Sequence, residues 1–162
     1  MSRDDVDILW LNGAFGVGKT TVARLLTNRR FVDPENVGYV IRRLPWWRDR
    51  DYQDVRLWRR LVARQVRRAA RRGPIVVPMT IVRGDVLAEL RAGIPAMRMV
   101  VLDAPAEVIV GRATADGADP YARQWRLDNV ERCVTALADP VFGEHIDATR
   151  PPEEIARDLW TS

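Results

Sequence analysis

Lysine, cysteine and histidine are almost absent from this sequence of 162 residues, which contains 25 arginines but one lysine, one cysteine and one histidine. A single cysteine excludes an internal disulfide and is typical of proteins from a reducing cytoplasm. No apolar run approaches the roughly 20 residues that a membrane-spanning helix needs, and the acidic N-terminus does not resemble a signal peptide. We therefore expect one cytoplasmic domain, residues 1–162, with no transmembrane segment.

The single lysine lies in a glycine-rich motif. Eight residues fit the phosphate-binding pattern G-x-x-x-x-G-K-[ST], namely Gly13, Ala14, Phe15, Gly16, Val17, Gly18, Lys19 and Thr20. An apolar run precedes the motif and a helical pattern follows it, which is the required order because loop amides and a helix N-terminus bind the anion together. A slim ammonium reaches between two phosphates where a planar guanidinium would collide. We predict that these residues and Thr21 bind ATP, with Thr20 as a ligand of Mg²⁺.

The lone lysine also narrows the class of phosphate-loop protein. A GTPase of the familiar kind needs an Asn/Thr-Lys-x-Asp motif, which cannot occur here because the only lysine belongs to the phosphate loop. Motor-type ATPases and helicases usually run longer and end a neighbouring strand in Asp-Glu. The corresponding strand here ends in Asp103 followed by Ala104 and Pro105, which favours a helix N-cap. The remaining class is that of the small-molecule kinases, which have a compact core and an arginine-bearing lid.

Strand-like and helix-like patterns alternate along the chain. The pattern predicts strands at residues 6–11, 30–32, 74–80, 97–102 and 144–147. Helical spacing and start signals predict helices at 20–26, 33–44, 53–72, 85–91, 104–112 and 123–137, and a last one that opens at residue 151. The prediction is an α/β fold, a P-loop NTPase of the nucleoside/shikimate kinase type. It has a five-stranded parallel sheet with helices on both faces and a lid at about residues 113–126. Ligands gather at the carboxyl ends of such strands.

A carboxylate follows the second predicted strand. Small-molecule kinases keep such a group at this place to accept the proton of the substrate hydroxyl or to hold a Mg²⁺-bound water. Asp33 occupies the position, and Glu35 lies two residues on and could share the task. Asp, Pro and Glu at residues 33–35 are also a standard helix start, and the two roles are compatible. We assign Asp33 a catalytic and metal-positioning role, with Glu35 as the second candidate.

Arginines near the predicted lid are candidates for stabilising the transferred phosphate, whose oxygens need preorganised cations. Arg123 and Arg126 flank Trp125 just after a turn-rich segment, and we assign both to catalysis. Arg112 is placed as adenine-stacking arginines are in related kinases and is assigned to nucleotide binding, while Arg132 is a further candidate. Arginine is so frequent in this chain that a surface ion pair of small energetic value is the alternative for each.

One segment is strongly basic. Between residues 42 and 72, twelve arginines and three aspartates give a local charge of +9, which leaves −5 for the remainder. Residues 53–72 fit an amphipathic helix. Its expected inner residues are Val55, Leu57, Trp58, Leu61, Val62, Val66 and Ala69, and its expected outer residues are Arg59, Arg60, Arg64, Arg67, Arg68 and Arg71. We interpret the arginines as a solvated helix face rather than a nucleic-acid-binding surface, so the expected partner is a small molecule.

Aromatic, apolar and charged residues after the second and third strands predict the walls of an acceptor pocket. They are Arg42, Arg43, Trp46, Trp47, Met79 and Thr80. Such walls suit an organic substrate with a sugar or a planar base, although the two tryptophans are equally explained as core filling. His145 at the entry to an edge strand and Cys133 within a helical pattern are interpreted as structural residues, not as a base and a reactive thiol.

Six segments carry a family resemblance, at residues 10–20, 33–38, 57–59, 76–82, 131–134 and 145–147. In the same order, and spanning nearly the whole chain, they resemble segments of the tunicamycin-resistance ATP-binding proteins of bacteria. The Asn-Gly-Ala-Phe-Gly form of the loop and the Val-Pro-Met-Thr strand are more specific than the phosphate loop alone. The resemblance implies ATP binding and protection against a nucleoside antibiotic that blocks lipid-linked sugar transfer.

Two functions agree with these observations. The first is an ATP- and Mg²⁺-dependent phosphotransferase, a small-molecule kinase that acts on a hydroxyl of a nucleoside-like molecule and is linked to tunicamycin resistance. The second is a non-catalytic, ATP-dependent protein that sequesters the antibiotic. The resemblance does not choose between phosphorylation and binding.

Overall fold

The structure, a computed structural model, describes residues 8–34, 56–94, 96–115 and 120–161. Several sequence predictions lie outside this part of the chain: the helix at 33–44 beyond residue 34, and the residues Glu35, Arg42, Arg43, Trp46, Trp47 and Val55. The turn-rich centre of the predicted lid, residues 116–119, also lies outside it.

Five parallel strands form one sheet in the order β2-β3-β1-β4-β5. They are β1 (Ile8–Gly13), β2 (Arg30–Phe31), β3 (Ile75–Pro78), β4 (Met97–Asp103) and β5 (Glu144–Asp147). Central β1 pairs with β3 on one side and β4 on the other, and all six of its residues are buried. This is expected of a parallel strand that is covered on both faces. The predicted α/β fold and its parallel sheet are confirmed, and the phosphate loop leaves the middle of the sheet.

Helices cover both faces of this sheet. They are α1 (Lys19–Leu25), α2 (Arg56–Ala70), α3 (Gly84–Gly93), α4 (Ala106–Ala115), α5 (Pro120–Leu137) and α6 (Pro152–Thr161), with a short 3₁₀ helix at Pro140–Phe142. Alternate residues of β1 enter different apolar clusters: Trp10 joins α2 and α3, and Leu11 joins α1, α4, α5 and α6. Because Asp103 ends β4 and α4 begins at Ala106, the interpretation of Asp103 as an N-cap is wrong. Among the described residues no helix is long and apolar enough to cross a membrane.

The arginine-rich helix α2 is present, but two of its residues face opposite to the prediction. Leu57, expected inside, is 59% exposed, whereas Arg59, expected outside, is 7% exposed. The Arg59 guanidinium donates hydrogen bonds to Glu89 at 2.8 Å and to Asp85 at 3.2 Å, both on α3. These carboxylates make burial possible, because a buried charge without a partner is costly. The other arginines of the predicted outer face are exposed, namely Arg60, Arg64, Arg67, Arg68 and Arg71.

Candidate functional site

The chain between β1 and α1 follows a path that only glycine permits at several points. Gly13, Gly16 and Gly18 have φ angles of +145°, +89° and +111°, and among the described residues no other residue type has a positive φ. A Cβ added at Gly13 would lie 2.8 Å from the backbone oxygen of Leu102 and 2.8 Å from a methyl group of Val17. Gly13 is therefore required for space as well as for conformation.

The side chain of Lys19 is folded back over this loop. Its Nζ donates hydrogen bonds to the backbone oxygen of Gly13 at 2.9 Å and to that of Ala14 at 2.8 Å. It also lies 5.6 Å from the centre of the Phe15 ring, whose face is electron-rich and attracts cations. The hydroxyl of Thr80 donates to the same Gly13 oxygen at 2.8 Å. The only lysine of the chain thus places its ammonium within the phosphate loop.

The buried side-chain amide of Asn12 holds the start of the phosphate loop in place. Asn12 is completely buried, and its Nδ2 donates to the backbone oxygen of Ile81 at 2.9 Å. Its Oδ1 accepts hydrogen bonds from the backbone N–H groups of Gly13 and Ile81, both at 2.9 Å. The two hydrogen bonds with Ile81 tie the end of β1 to the chain that follows β3. Sequence reasoning did not assign Asn12 a role, because its partner is 69 residues away.

A cavity of about 830 Å³ lies along the loop. Its lining includes residues 15–22 of the loop and α1, and from other parts of the chain Asp33, Thr80, Arg112 and Arg126. The size is suitable for a small-molecule ligand. The structure therefore brings Lys19, Thr20, Thr21, Asp33, Arg112 and Arg126 of the predicted site together. Arg123 and Arg132 lie on α5 and are not among the described residues that line this cavity.

The chain is similar over nearly its whole length to a solved tunicamycin resistance protein and to solved small-molecule kinases. A tunicamycin resistance protein of Deinococcus radiodurans is 28% identical, with a TM-score of 0.75 and coverage of 95% of this chain and 93% of that chain. A sugar kinase from Janibacter is 25% identical, with a TM-score of 0.69 and coverage of 95% and 92%. A shikimate kinase from Acinetobacter baumannii, in complex with shikimate, is 20% identical, with a TM-score of 0.64 and coverage of 96% and 91%.

The chain has a P-loop kinase-like fold. The predicted resemblance to the tunicamycin-resistance proteins is confirmed, and the other two similar structures named above are kinases of small molecules. No protein-family model matches the chain, and no curated protein matches it.

Arg112 of the kinase-like protein fastens the loop to the far side of the cavity. Its Nη1 donates to the backbone oxygen of Val17 and its Nη2 to that of Ala148, both at 2.8 Å. Both hydrogen bonds use the edge of the guanidinium, so they are compatible with the predicted stacking of an adenine on its face. The role in holding the loop was missed, because the two carbonyl groups are 95 and 36 residues away.

A short turn after β5 completes the wall beside Arg112. The hydroxyl and the backbone N–H of Thr149 donate to Asp147 Oδ1 at 2.6 and 2.8 Å. These hydrogen bonds keep the pKa of Asp147 below its usual value. They also order the turn that carries two cavity residues, Ala148 and Arg150. The Asp-x-Thr spacing is typical of such turns and was a signal that sequence reasoning could have used.

The lone cysteine and the lone histidine have structural surroundings. Cys133 is completely buried, and burial raises the pKa of its thiol against the opposing effects of Arg132, Lys19 and a hydrogen bond from the Phe15 backbone. A thiol of this kind stays protonated at neutral pH and reacts slowly. His145 Nδ1 lies 3.4 Å from Asp103 Oδ2 on neighbouring strands, and neither residue is among the described residues that line the cavity.

Proposed function

We propose that this kinase-like protein is an ATP- and Mg²⁺-dependent phosphotransferase that acts on a hydroxyl of a small, nucleoside-like molecule. The observation that carries the proposal is that Lys19, Thr20, Asp33 and Arg126 line one cavity. Two similar structures are kinases of a sugar and of shikimate, and both substrates bear hydroxyl groups. The similar tunicamycin resistance protein supports a nucleoside antibiotic as the acceptor.

The residues of the cavity fit ATP and Mg²⁺. Gly16 and Gly18 line the cavity and have no side chains that would keep an anion from the loop backbone, and Lys19 and Arg126 supply cations. Thr20 is exposed to the cavity. Among the described residues no group of three or more His, Cys, Asp or Glu could hold a metal, so Thr20, Asp33 and phosphate oxygens would share the ion, as Mg²⁺ prefers. When bound, ATP supplies the γ-phosphoryl group and Mg²⁺ neutralises its charge.

The side chains of the cavity have the following roles in the proposed reaction. Lys19 and the loop amides bind the β- and γ-phosphates. Asp33 takes the proton of the acceptor hydroxyl. The hydroxyl oxygen forms a bond to the γ-phosphorus of ATP while the bond from that phosphorus to the oxygen of the departing ADP breaks. Arg126, with Arg123 on the same helix, stabilises the negative charge on the transferred group. Arg112 stacks on the adenine.

Mass spectrometry of the acceptor tests the reaction. Purified protein is incubated with ATP, Mg²⁺, and either tunicamycin or a panel of nucleosides. The expected result is a product heavier by one phosphate that is absent with Lys19→Ala. If the protein binds ATP but none of the tested molecules gains a phosphate, phosphorylation of tunicamycin and of these nucleosides is contradicted.

The role of Asp33 is tested separately. Asp33→Asn is expected to abolish turnover while ATP binding survives, because the amide cannot accept the proton. Asp128→Asn is the matched control, since Asp128 is exposed on α5 and binds Gln124, and it should leave turnover unchanged. Turnover retained in Asp33→Asn would remove the catalytic assignment.

A second function is favoured by one observation, namely that a similar structure is a resistance protein rather than a kinase by name. In this alternative the protein binds ATP and sequesters the antibiotic without modifying it. Protection would then be stoichiometric, with one antibiotic molecule bound per chain at saturation. Detection of a phosphorylated antibiotic would exclude this function.

A further inference from the structure

The phosphate loop carries an aromatic side chain that the proposed reaction does not use. Phe15 occupies a position at which the loop pattern accepts any residue. Its ring contacts that of Trp125 on α5, with centroids 4.6 Å apart and an angle of 65° between the planes. This is the edge-to-face arrangement that aromatic pairs prefer. Since Lys19 Nζ lies 5.6 Å from the centre of the same ring, Phe15 contacts both the tryptophan and the only lysine.

Helix α5 reaches Phe15 at a second point. Cys133 follows Trp125 by eight residues, which is about two turns and places both on one face of the helix. Cys133 is completely buried in the same apolar cluster as Ala14 and Val17 of the loop, and Phe15 packs against that cluster. One face of α5 therefore packs against the loop at two points, through Trp125 and through Cys133.

Burial does not explain the position of Trp125, which is 45% exposed. Trp160 on α6 is almost equally exposed, at 47%, and provides a natural comparison. The residue after Trp125 is Arg126, which lines the cavity. The helix that contacts Phe15 therefore also carries the proposed phosphate-stabilising arginine.

We propose that Phe15 and Trp125 are positioning residues for Lys19. The Trp125 ring fixes the Phe15 ring, and the face of the Phe15 ring holds the Lys19 ammonium in the loop. Because Trp125 and Arg126 are adjacent on α5, the contact also sets the placement of Lys19 relative to Arg126. The consequence for phosphate binding rests on the proposed function, but the contact itself belongs to the free protein.

The single lysine makes a specific spectroscopic test possible. Protein grown with ¹³C-labelled lysine has one lysine side-chain signal, that of Lys19. The Phe15 ring current should displace its ε-proton resonance, and Phe15→Leu should return the resonance toward that of free lysine. Trp125→Ala should shift it in the same direction, Trp125→Phe should restore most of the wild-type position, and Trp160→Ala should leave it unchanged. An unaltered Lys19 resonance in folded Trp125→Ala would overturn the inference.

Nucleotide binding to the same variants separates positioning from general damage. Lys19 contacts the β- and γ-phosphates, so Trp125→Ala should weaken ATP binding about 2- to 10-fold, the range expected for loss of an aromatic pair. Calorimetry should show AMP binding unchanged, and equal weakening for ATP and AMP would overturn the inference. In a Lys19→Ala background Trp125→Ala should have no further effect on ATP binding; an undiminished effect would also overturn it. Failure of the wild-type protein to bind any nucleotide would refute the proposed function instead, and the Lys19 resonance would still decide the positioning role.

Discussion

Replacement of Asn12 by leucine should severely destabilise the protein. Leucine has the same branched shape but no polar atoms, so three buried backbone groups lose their partners: the N–H groups of Gly13 and Ile81 and the carbonyl group of Ile81. Each buried polar group without a partner costs about 1–3 kcal/mol. Because leucine recovers some apolar burial, we expect a net loss of about 3–6 kcal/mol. A domain of this size has a free energy of unfolding of about 5–15 kcal/mol, so the loss is a large fraction of the total.

Urea denaturation followed by circular dichroism measures this loss. With a denaturant dependence of roughly 2 kcal/mol per molar urea, the midpoint should fall by about 1.5–3 M. Asn129→Leu is the matched control, because its side-chain amide also donates to a backbone oxygen, that of Trp125 at 2.8 Å, but at the surface of α5. It should change the free energy of unfolding by no more than about 0.5 kcal/mol. A midpoint for Asn12→Leu no lower than that of the control would refute the reasoning.

Three further substitutions test other features by denaturation. Gly13→Ala should abolish nucleotide binding and lower the free energy of unfolding by about 1–3 kcal/mol. Gly111→Ala, at an open site within α4, should raise it by about 0.5–1 kcal/mol. Equal effects of the two substitutions would contradict the expected clash of a Cβ at Gly13. Arg59→Met should lower the free energy of unfolding by about 2–3 kcal/mol because the ion pairs of a buried guanidinium are lost. Arg60→Met, at an exposed position of the same helix, should change it by no more than about 0.5 kcal/mol. The pKa of Cys133 is raised on folding, so the unfolded thiol ionises first; stability should decline as pH rises above about 9. Cys133→Ala should lack this component of the decline.

The phosphate loop and its flanking elements could be predicted because their signals are local. The glycines, the apolar run of β1 and the helical spacing after Lys19 lie within eighteen consecutive residues, 8–25. The strands β1, β3 and β4 could be predicted for a similar reason, since buried parallel strands are continuous apolar runs. The order of the strands in the sheet depends on contacts between distant segments and cannot be predicted from the periodicity of the sequence.

The inner face of α2 shows where periodicity fails. Hydropathy alone placed Leu57 inside and Arg59 outside, yet the buried stripe is centred on Trp58, Arg59 and Val62. Arg59 is stabilised there by Asp85 and Glu89, which are one turn apart on α3 and neutralise its charge. Such compensation between helices is invisible to a pattern that scores one segment at a time.

The candidate site also contains some residues whose position could be predicted from the sequence and others whose contacts could not. The position of Asp33 at the cavity could be predicted because the carboxyl end of a strand is a definite place in an α/β fold. Arg126 and Arg123 were both selected for their nearness to the predicted lid, and sequence could not decide which of the two would line the cavity. The catalytic roles of these residues stay predictions. The hydrogen bonds of Arg112 and Asn12 require the folded chain, because their partners are tens of residues away.

Both backbone oxygens that hold the Lys19 ammonium have a second donor. The Gly13 oxygen also accepts from Thr80 at 2.8 Å, and the Ala14 oxygen accepts from the backbone N–H of Val17 at 3.3 Å. When the ammonium turns toward an incoming anion, each oxygen keeps one hydrogen bond, and the cost of a fully unpaired carbonyl does not arise. In the free loop two peptide oxygens therefore take the place of the anion as partners of the Lys19 ammonium. They can release the lysine without deformation of the backbone, so this binding of the ammonium is reversible.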